Sequence, residues 1–146
     1  MTRRALLLSS LAALARADTA QEIRDLFGSM VNSLTACNPQ AFLAAFDKTM
    51  PGYNQLTVNV TALINEFVVE SVVDFNKDEG NDQKREVEAD WLLTLRPRLT
   101  QYCENPQPVM ATATREQVLK CTLAREGRKW KVAALEPVEF FAPPAP

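Results

Sequence analysis

The chain has 146 residues, of which 47% are hydrophobic and 23% are charged, so it can bury the core of one domain. This composition excludes disordered, collagen-like and membrane-spanning proteins, and a net charge of −2 gives no reason to bind nucleic acid. The sequence contains no histidine, which removes the commonest general base and metal ligand, so neither a metal site nor a cofactor is predicted.

The N-terminus has the pattern of a secretory signal peptide. Arg3 and Arg4 form a basic region, residues 5–15 are an apolar run too short to span a membrane, and Ala15-Arg16-Ala17 is an A-x-A cleavage site. We therefore predict a mature chain that begins at Asp18 and is exported to the periplasm or the extracellular space. The alternative is an amphipathic first helix of the mature fold, but the apolar run has no polar face.

Three helices are predicted after the cleavage site. Thr19 and Glu22 have the spacing of a capping box, and apolar residues then recur with helical period as far as Leu34. Asn38-Pro39 should end this helix and begin a short second one. Met50-Pro51-Gly52 should separate that helix from a third.

The apolar period then changes from helical to alternating, which predicts four antiparallel strands. We place them at residues 67–76, 85–96, 112–126 and 129–140, with a long connection at 97–108. The predicted inner face carries Val87, Trp91, Leu119, Leu123, Trp130 and Val132. Helices followed by strands indicate an α+β fold with helices packed on one face of the sheet.

This organisation resembles the nuclear transport factor 2-like (NTF2-like) superfamily, also called cystatin-like. The resemblance rests on the order of helices and strands, on the long strand at residues 86–95 and on the closing hairpin at 118–132. It implies a cone-shaped domain in which a curved sheet surrounds the first helix and leaves an apolar cavity. The predicted organisation is a signal peptide at 1–17, an NTF2-like domain at 18–141 and a Pro-rich tail at 142–146.

Relatives in this superfamily include ketosteroid isomerases, dehydratases and polyketide cyclases, which use a tyrosine, carboxylates or a histidine inside the cone. The present chain departs from that pattern because it lacks histidine and has no tyrosine on its first helix. Asp74 and Asp90 alternate with apolar neighbours and should lie on the outer face as solvated or paired charges. No catalytic residue is therefore assigned, and the sequence favours a non-catalytic module.

The alternative is a small isomerase or dehydratase that uses a pocket carboxylate, Asp90 or another, with Tyr53. A small apolar ligand is the expected partner of a non-catalytic cone, and its candidate contacts are Tyr53, Trp91 and Trp130. For both tryptophans, however, the favoured interpretation is that they fill the core beneath the sheet.

A homodimer is predicted from the outer face of the sheet. This face should carry apolar side chains among charged ones, and a small domain rarely leaves such a cluster in water without a use. The apolar members of the face are Val68, Val72, Leu92, Val118 and Leu135.

Three cysteines leave the disulfide state open, because an odd number allows at most one intramolecular bridge. Cys37 and Cys103 lie in predicted loops, whereas Cys121 alternates with core leucines. We therefore predict that Cys121 is a buried apolar residue, and no base is available to activate it.

Overall fold

The described part of the chain forms three α-helices, then four β-strands, then a short 3₁₀ helix. The computed structural model describes residues 2–98 and 112–144, with side chains from Asp18 onward, so Cys103 and most of the 97–108 connection lie outside the described residues. The elements are α1 (Thr2–Thr35), α2 (Pro39–Leu43), α3 (Tyr53–Glu66), β1 (Phe67–Gly80), β2 (Lys84–Pro97), β3 (Ala113–Glu126), β4 (Lys129–Glu136) and the 3₁₀ helix Val138–Phe141.

The helix boundaries follow local chemistry at two of the three predicted starts. The Asn38 side chain accepts a hydrogen bond from the Ala41 backbone N–H (3.0 Å), which caps α2 as predicted. Gly52 precedes α3 with a φ of 82°, a conformation that favours glycine. The predicted helix start at Thr19 is wrong for this chain, because α1 runs through it and its hydroxyl donates to Asp82 (3.3 Å).

The strands form one antiparallel sheet in the order β1-β2-β3-β4, which confirms the predicted α+β class and the four strands. Its inner face packs against the helices, and each of the six residues predicted there is exposed by 4% or less. Alternation therefore assigned the faces of β2 and β3 correctly.

A β-bulge in β4 overturns one prediction. Thr122 pairs with Ala134, whereas the next residue, Leu123, pairs with Val132, so β4 contains an extra residue at this point. Beyond a bulge the alternation of faces is inverted. Leu135, predicted on the outer face, consequently points inward and is only 3% exposed.

The fourth strand is shorter than predicted. It ends at Glu136 because Pro137 has no N–H to donate to a strand partner. The chain then forms the 3₁₀ helix and returns to the core, where Phe140 is 2% exposed and Phe141 is fully buried.

The two edges of the sheet differ. Along β4, Val132 accepts from the Asp47 N–H (2.9 Å) and donates to the Ala45 carbonyl (2.8 Å), with a parallel bridge to Phe46. No backbone–backbone hydrogen bond joins the outer edge of β1 to another element in the described part of the chain. One edge is therefore partly covered and the other is open.

Candidate functional site

Trp91 lies at the centre of the inner face. It is fully buried, and its ring contacts Phe27 (centroids 6.0 Å apart) and meets Phe141 edge to face (5.2 Å, 88°). Its indole N–H has no hydrogen-bond partner among the described residues. This tryptophan thus fills the core, as the favoured interpretation predicted, and among the described residues its indole donor is unsatisfied there.

The Ser71 hydroxyl is a second buried polar group that has no hydrogen-bond partner in the described part of the chain. It pairs with Leu93 in the β1–β2 register and Val73 pairs with Trp91, so Ser71 and Trp91 are diagonal neighbours on the inner face. Leaving a buried polar group unpaired costs about 1–3 kcal/mol. The Trp91 N–H and the Ser71 hydroxyl therefore make this part of the core less favourable than the purely apolar part around it. The sequence analysis does not predict this pair of unpaired polar groups, although Ser71 lies between Val69 and Val73 on the face that alternation predicts to be buried.

The C-terminal residues occupy the space next to Trp91. The Phe141 ring lies 5.2 Å from Trp91 and 5.1 Å from both Phe42 and Phe140, measured between ring centroids. Arg115, opposite Leu93 in the sheet, donates to the backbone carbonyls of Phe140 and Ala142, the latter at 2.7 Å. Partial burial lowers the pKa of the Arg115 guanidinium.

Trp130 stabilises the fold through its polar end. Its indole N–H donates to a Glu22 carboxylate oxygen (2.8 Å), and that oxygen also accepts from the Arg125 guanidinium (3.0 Å). The guanidinium carbon lies 4.8 Å from the centre of the Trp130 ring. These contacts tie α1 to the β3–β4 hairpin, and Trp130 also borders an open cleft of about 420 Å³ beside α1.

Tyr53 lines a different cleft, of about 560 Å³, together with Phe46, Asp47, Glu126 and Lys131. The Thr49 backbone N–H and hydroxyl both donate to the Asp47 carboxylate, and these hydrogen bonds lower its pKa. The structure therefore places the three candidate ligand contacts, Tyr53, Trp91 and Trp130, in three separate surroundings.

The carboxylates considered for catalysis lie on the outer face. Asp74 pairs directly with Asp90 across β1 and β2, on the side away from the helices. No Asp, Glu, Lys or Arg is buried among the residues with described side chains. Cys121 is 3% exposed, and burial raises the pKa of its thiol to about 12, so the thiol stays protonated and is not a nucleophile.

Apolar side chains cluster beside these carboxylates. Val72 pairs with Leu92, and Val118 pairs with Asp90, so the three apolar residues cross three adjacent strands. Val72 is 59% exposed and Val118 is 43% exposed. We call Val72, Leu92 and Val118 the outer patch.

Cys37 differs from Cys121 in exposure and contacts. It lies just after α1 with a φ of 59°, and its sulfur accepts from the Arg98 guanidinium at 2.8 Å. Both cysteines are free in this structure. Helices of the described part are too short or too polar to cross a membrane, and its Cys, Asp and Glu residues form no metal-binding group.

No protein-family model matches the sequence, and no curated protein matches it at a significant level. Solved structures do resemble it. A putative scytalone dehydratase from Novosphingobium aromaticivorans has a TM-score of 0.70 at 11% identity, covering 84% of this chain and 85% of that chain. A hexachlorocyclohexane dehydrochlorinase has a TM-score of 0.60 at 15% identity, covering 84% and 86%.

An NTF2-like superfamily protein from Salmonella enterica serovar Typhimurium has a TM-score of 0.59 at 15% identity, covering 82% of this chain and 89% of that chain. Such low identities carry information about fold and not about activity. The helices followed by one antiparallel sheet, together with these likenesses, give this chain an NTF2-like fold.

Proposed function

We propose that this chain is a non-catalytic NTF2-like module that associates with a second copy of itself through the outer patch. The observation that supports it most is a contrast among the described side chains, in which the core contains no buried charged group and the outer face exposes valines. Catalysis by general acids and bases needs positioned ionisable groups beside the substrate. Self-association needs an apolar surface with polar surroundings.

The outer patch has the composition of a small interface. Its centre is apolar on three adjacent strands. On β3, Glu116 lies two residues before Val118 and Lys120 lies two residues after it, so both charged side chains are on the same face. A two-fold axis through the patch would bury each apolar side chain against the partner's patch and leave the charged side chains at the rim. We also propose that the domain has the cone shape expected of the fold. In such a cone the curled sheet turns its outer face toward solvent, where a second copy could bind.

Sedimentation equilibrium at micromolar concentrations tests the dimer. We expect the wild type to be a dimer and Leu92→Glu to be a monomer, because the new charge would be buried in the interface. Val58→Glu is the matched control, since Val58 is 63% exposed on α3, away from the sheet. A monomeric wild type would exclude the dimer. If Leu92→Glu and Val58→Glu were both dimers, the outer patch would be excluded as the interface.

Export is proposed separately, on the N-terminal sequence pattern. Removal of residues 1–17 would leave in the mature chain the buried apolar residues of α1 from Asp18 onward, which are Ile23, Phe27, Met30 and Leu34. N-terminal sequencing of protein from its native host should find Asp18 first, in a fraction outside the cytoplasm. Recovery of intact Met1 from the cytosol would contradict export.

An isomerase or dehydratase is the second candidate, and the similarity to the structure of a putative scytalone dehydratase supports it. The geometry supports it less, because Asp90 faces outward and Tyr53 lines a cleft that does not include Asp90. A catalytic role would therefore have to use other carboxylates, such as Asp47 and Glu126 beside Tyr53.

A further inference from the structure

We infer that the cleft beside Tyr53 is a binding site for a neutral sugar, which would stack on the Tyr53 ring and form hydrogen bonds with the charged side chains around it. We call this cleft, which measures about 560 Å³, the edge cleft, because it lies at the β4 edge of the sheet. The inference does not depend on dimer formation, since the outer patch lies on β1, β2 and β3.

The edge cleft lies outside the core. Of the described side chains, none from α1 and only two from the strands line it, Glu126 and Lys131. Lys131 stands between Trp130 and Val132, which are exposed by 4% or less on the inner face, so its side chain leaves the sheet on the other side. The cleft is therefore separate from the space between the sheet and α1, and its volume is within the range of about 300–1,000 Å³ that small-molecule sites have.

Asp47 provides a carboxylate whose direction is fixed. Its Oδ1 atom accepts from the Thr49 backbone N–H (2.8 Å) and from the Thr49 hydroxyl (2.7 Å). After these two hydrogen bonds, the nearby Glu126 and Lys131 side chains also help to lower the pKa of Asp47. Thr49 leaves the second oxygen of the carboxylate free, and an ionised oxygen accepts strong hydrogen bonds from hydroxyl groups.

The formal charges of the edge cleft cancel. Two carboxylates and two ammonium groups line it, those of Asp47 and Glu126 and those of Lys48 and Lys131. None of these residues belongs to a salt bridge among the described side chains. The Lys131 ammonium donates to the Ala44 carbonyl, but an ammonium has three donors. Donors and acceptors are thus both available to a ligand, and neither a cation nor an anion is favoured.

The edge cleft also has an apolar part. Tyr53 is half-buried, and Phe46, which lines the same cleft, is 2% exposed. The hydroxyl groups of a sugar both donate and accept hydrogen bonds, and the C–H groups on a face of its ring pack on aromatic side chains. A neutral sugar is therefore the class of ligand that uses the carboxylates, the ammonium groups and the aromatic ring together.

The first experiment measures binding of the methyl glycosides of glucose, galactose, mannose and N-acetylglucosamine to the protein by saturation-transfer difference NMR. We expect at least one of them to bind with a dissociation constant on the order of 1 mM. Tyr53→Ala should weaken this binding about 5–10-fold, the value of one stacking contact. Tyr53→Phe keeps the ring and should bind nearly as well as the wild type.

The second experiment tests the carboxylates without touching the apolar part. Glu126→Gln should weaken binding about 10-fold, because a neutral acceptor replaces an ionised one. Glu126 is exposed, so this variant should fold normally. Glu139→Gln is the matched control, because Glu139 is exposed on the 3₁₀ helix and does not line the edge cleft. Its affinity should equal that of the wild type.

The third experiment tests the neutrality of the ligand with the amino and uronic acid forms of the sugar that binds best. At about pH 6 the first carries a positive charge and the second a negative one. Because the charges of the cleft cancel, we expect the neutral sugar to bind at least as tightly as either form.

Three results would overturn the inference. The first is the absence of saturation transfer to every glycoside, and the second is a Glu126→Gln protein with the affinity of the wild type. The third is binding of one charged form more than about 10-fold tighter than that of the neutral sugar, which would make the cleft a cation or an anion site. Glu126→Gln decides the question even if Tyr53→Ala does not fold.

Discussion

The two faces of β2 are built from alternate residues of one segment, yet they have opposite environments. On the inner face Val87, Ala89, Trp91, Leu93 and Leu95 are exposed by 1% or less. On the outer face the intervening residues are half-buried or exposed, and they include Asp90 and Leu92. The side chains of the inner face are therefore almost completely buried within one chain, whereas the outer face still exposes apolar surface to solvent.

The largest expected effect is a difference in the free energy of unfolding between substitutions at two adjacent residues. Trp91→Ala should lower the free energy of unfolding by about 3–5 kcal/mol, because it empties a filled site beneath the sheet. Leu92→Ala, one residue along and on the outer face, should cost less than about 1 kcal/mol at protein concentrations low enough to keep the chain monomeric. Urea unfolding of both proteins measures the difference, and equal costs would contradict the assignment of faces.

The β4 bulge moves Leu135 to the inner face, and this placement can be tested directly. Leu135→Ala should lower the free energy of unfolding by about 2–4 kcal/mol, as for a buried leucine. Val118→Ala on the outer face of β3 is the comparison and should cost less than about 1 kcal/mol. A small effect at Leu135 would show that the alternation continues through β4 without a bulge.

Ser71 is an exception on the inner face, since its buried hydroxyl has no hydrogen-bond partner within residues 2–98 and 112–144. Ser71→Ala should raise the free energy of unfolding by about 1 kcal/mol, because the cost of burying an unpaired hydroxyl disappears. Ser33→Ala is the control, because the Ser33 hydroxyl donates to the Ser29 carbonyl (2.7 Å). Loss of this hydrogen bond should not raise the free energy of unfolding. Destabilisation by Ser71→Ala in thermal unfolding would reveal a partner for the hydroxyl.

The smallest expected effect concerns Asp90, which faces Asp74 across two strands beside the outer patch. Like charges placed directly opposite each other are unfavourable, typically by a few tenths of a kcal/mol to about 1 kcal/mol. Asp90→Asn should therefore raise the free energy of unfolding by a few tenths of a kcal/mol to about 1 kcal/mol in urea unfolding. Asp25→Asn on α1 should leave the free energy of unfolding unchanged, and destabilisation by Asp90→Asn would mean that this carboxylate makes a favourable contact.

Much of the fold could be predicted because periodicity reports which side chains are buried. The faces of β2 and β3 and the cap at Asn38 followed from residue spacing and local chemistry. Leu135 was assigned to the wrong face because a bulge adds one residue without a distinctive sequence signal. The extent of β4 was overestimated because Phe140 continued the apolar pattern, although Pro137 marked the end of the strand.

The candidate site was less predictable than the fold. Tyr53, Trp91 and Trp130 are suitable contact residues by type, but tertiary structure puts them in different places. The involvement of Arg115 and Phe141 depends on a contact between β3 and the C-terminus, which no local pattern contains. The position of Ser71 among buried neighbours was visible in the sequence, whereas its lack of a partner was not.

The unequal edges of the sheet have a consequence for aggregation. Growth into a fibril requires every copy to offer two free strand edges, so that each added molecule exposes a new one. Here residues 45–47 occupy part of the β4 edge and leave β1 as the open one. Pairing between two β1 edges would thus use the open edge of each molecule, and any further growth would need the part of the β4 edge that residues 45–47 leave uncovered.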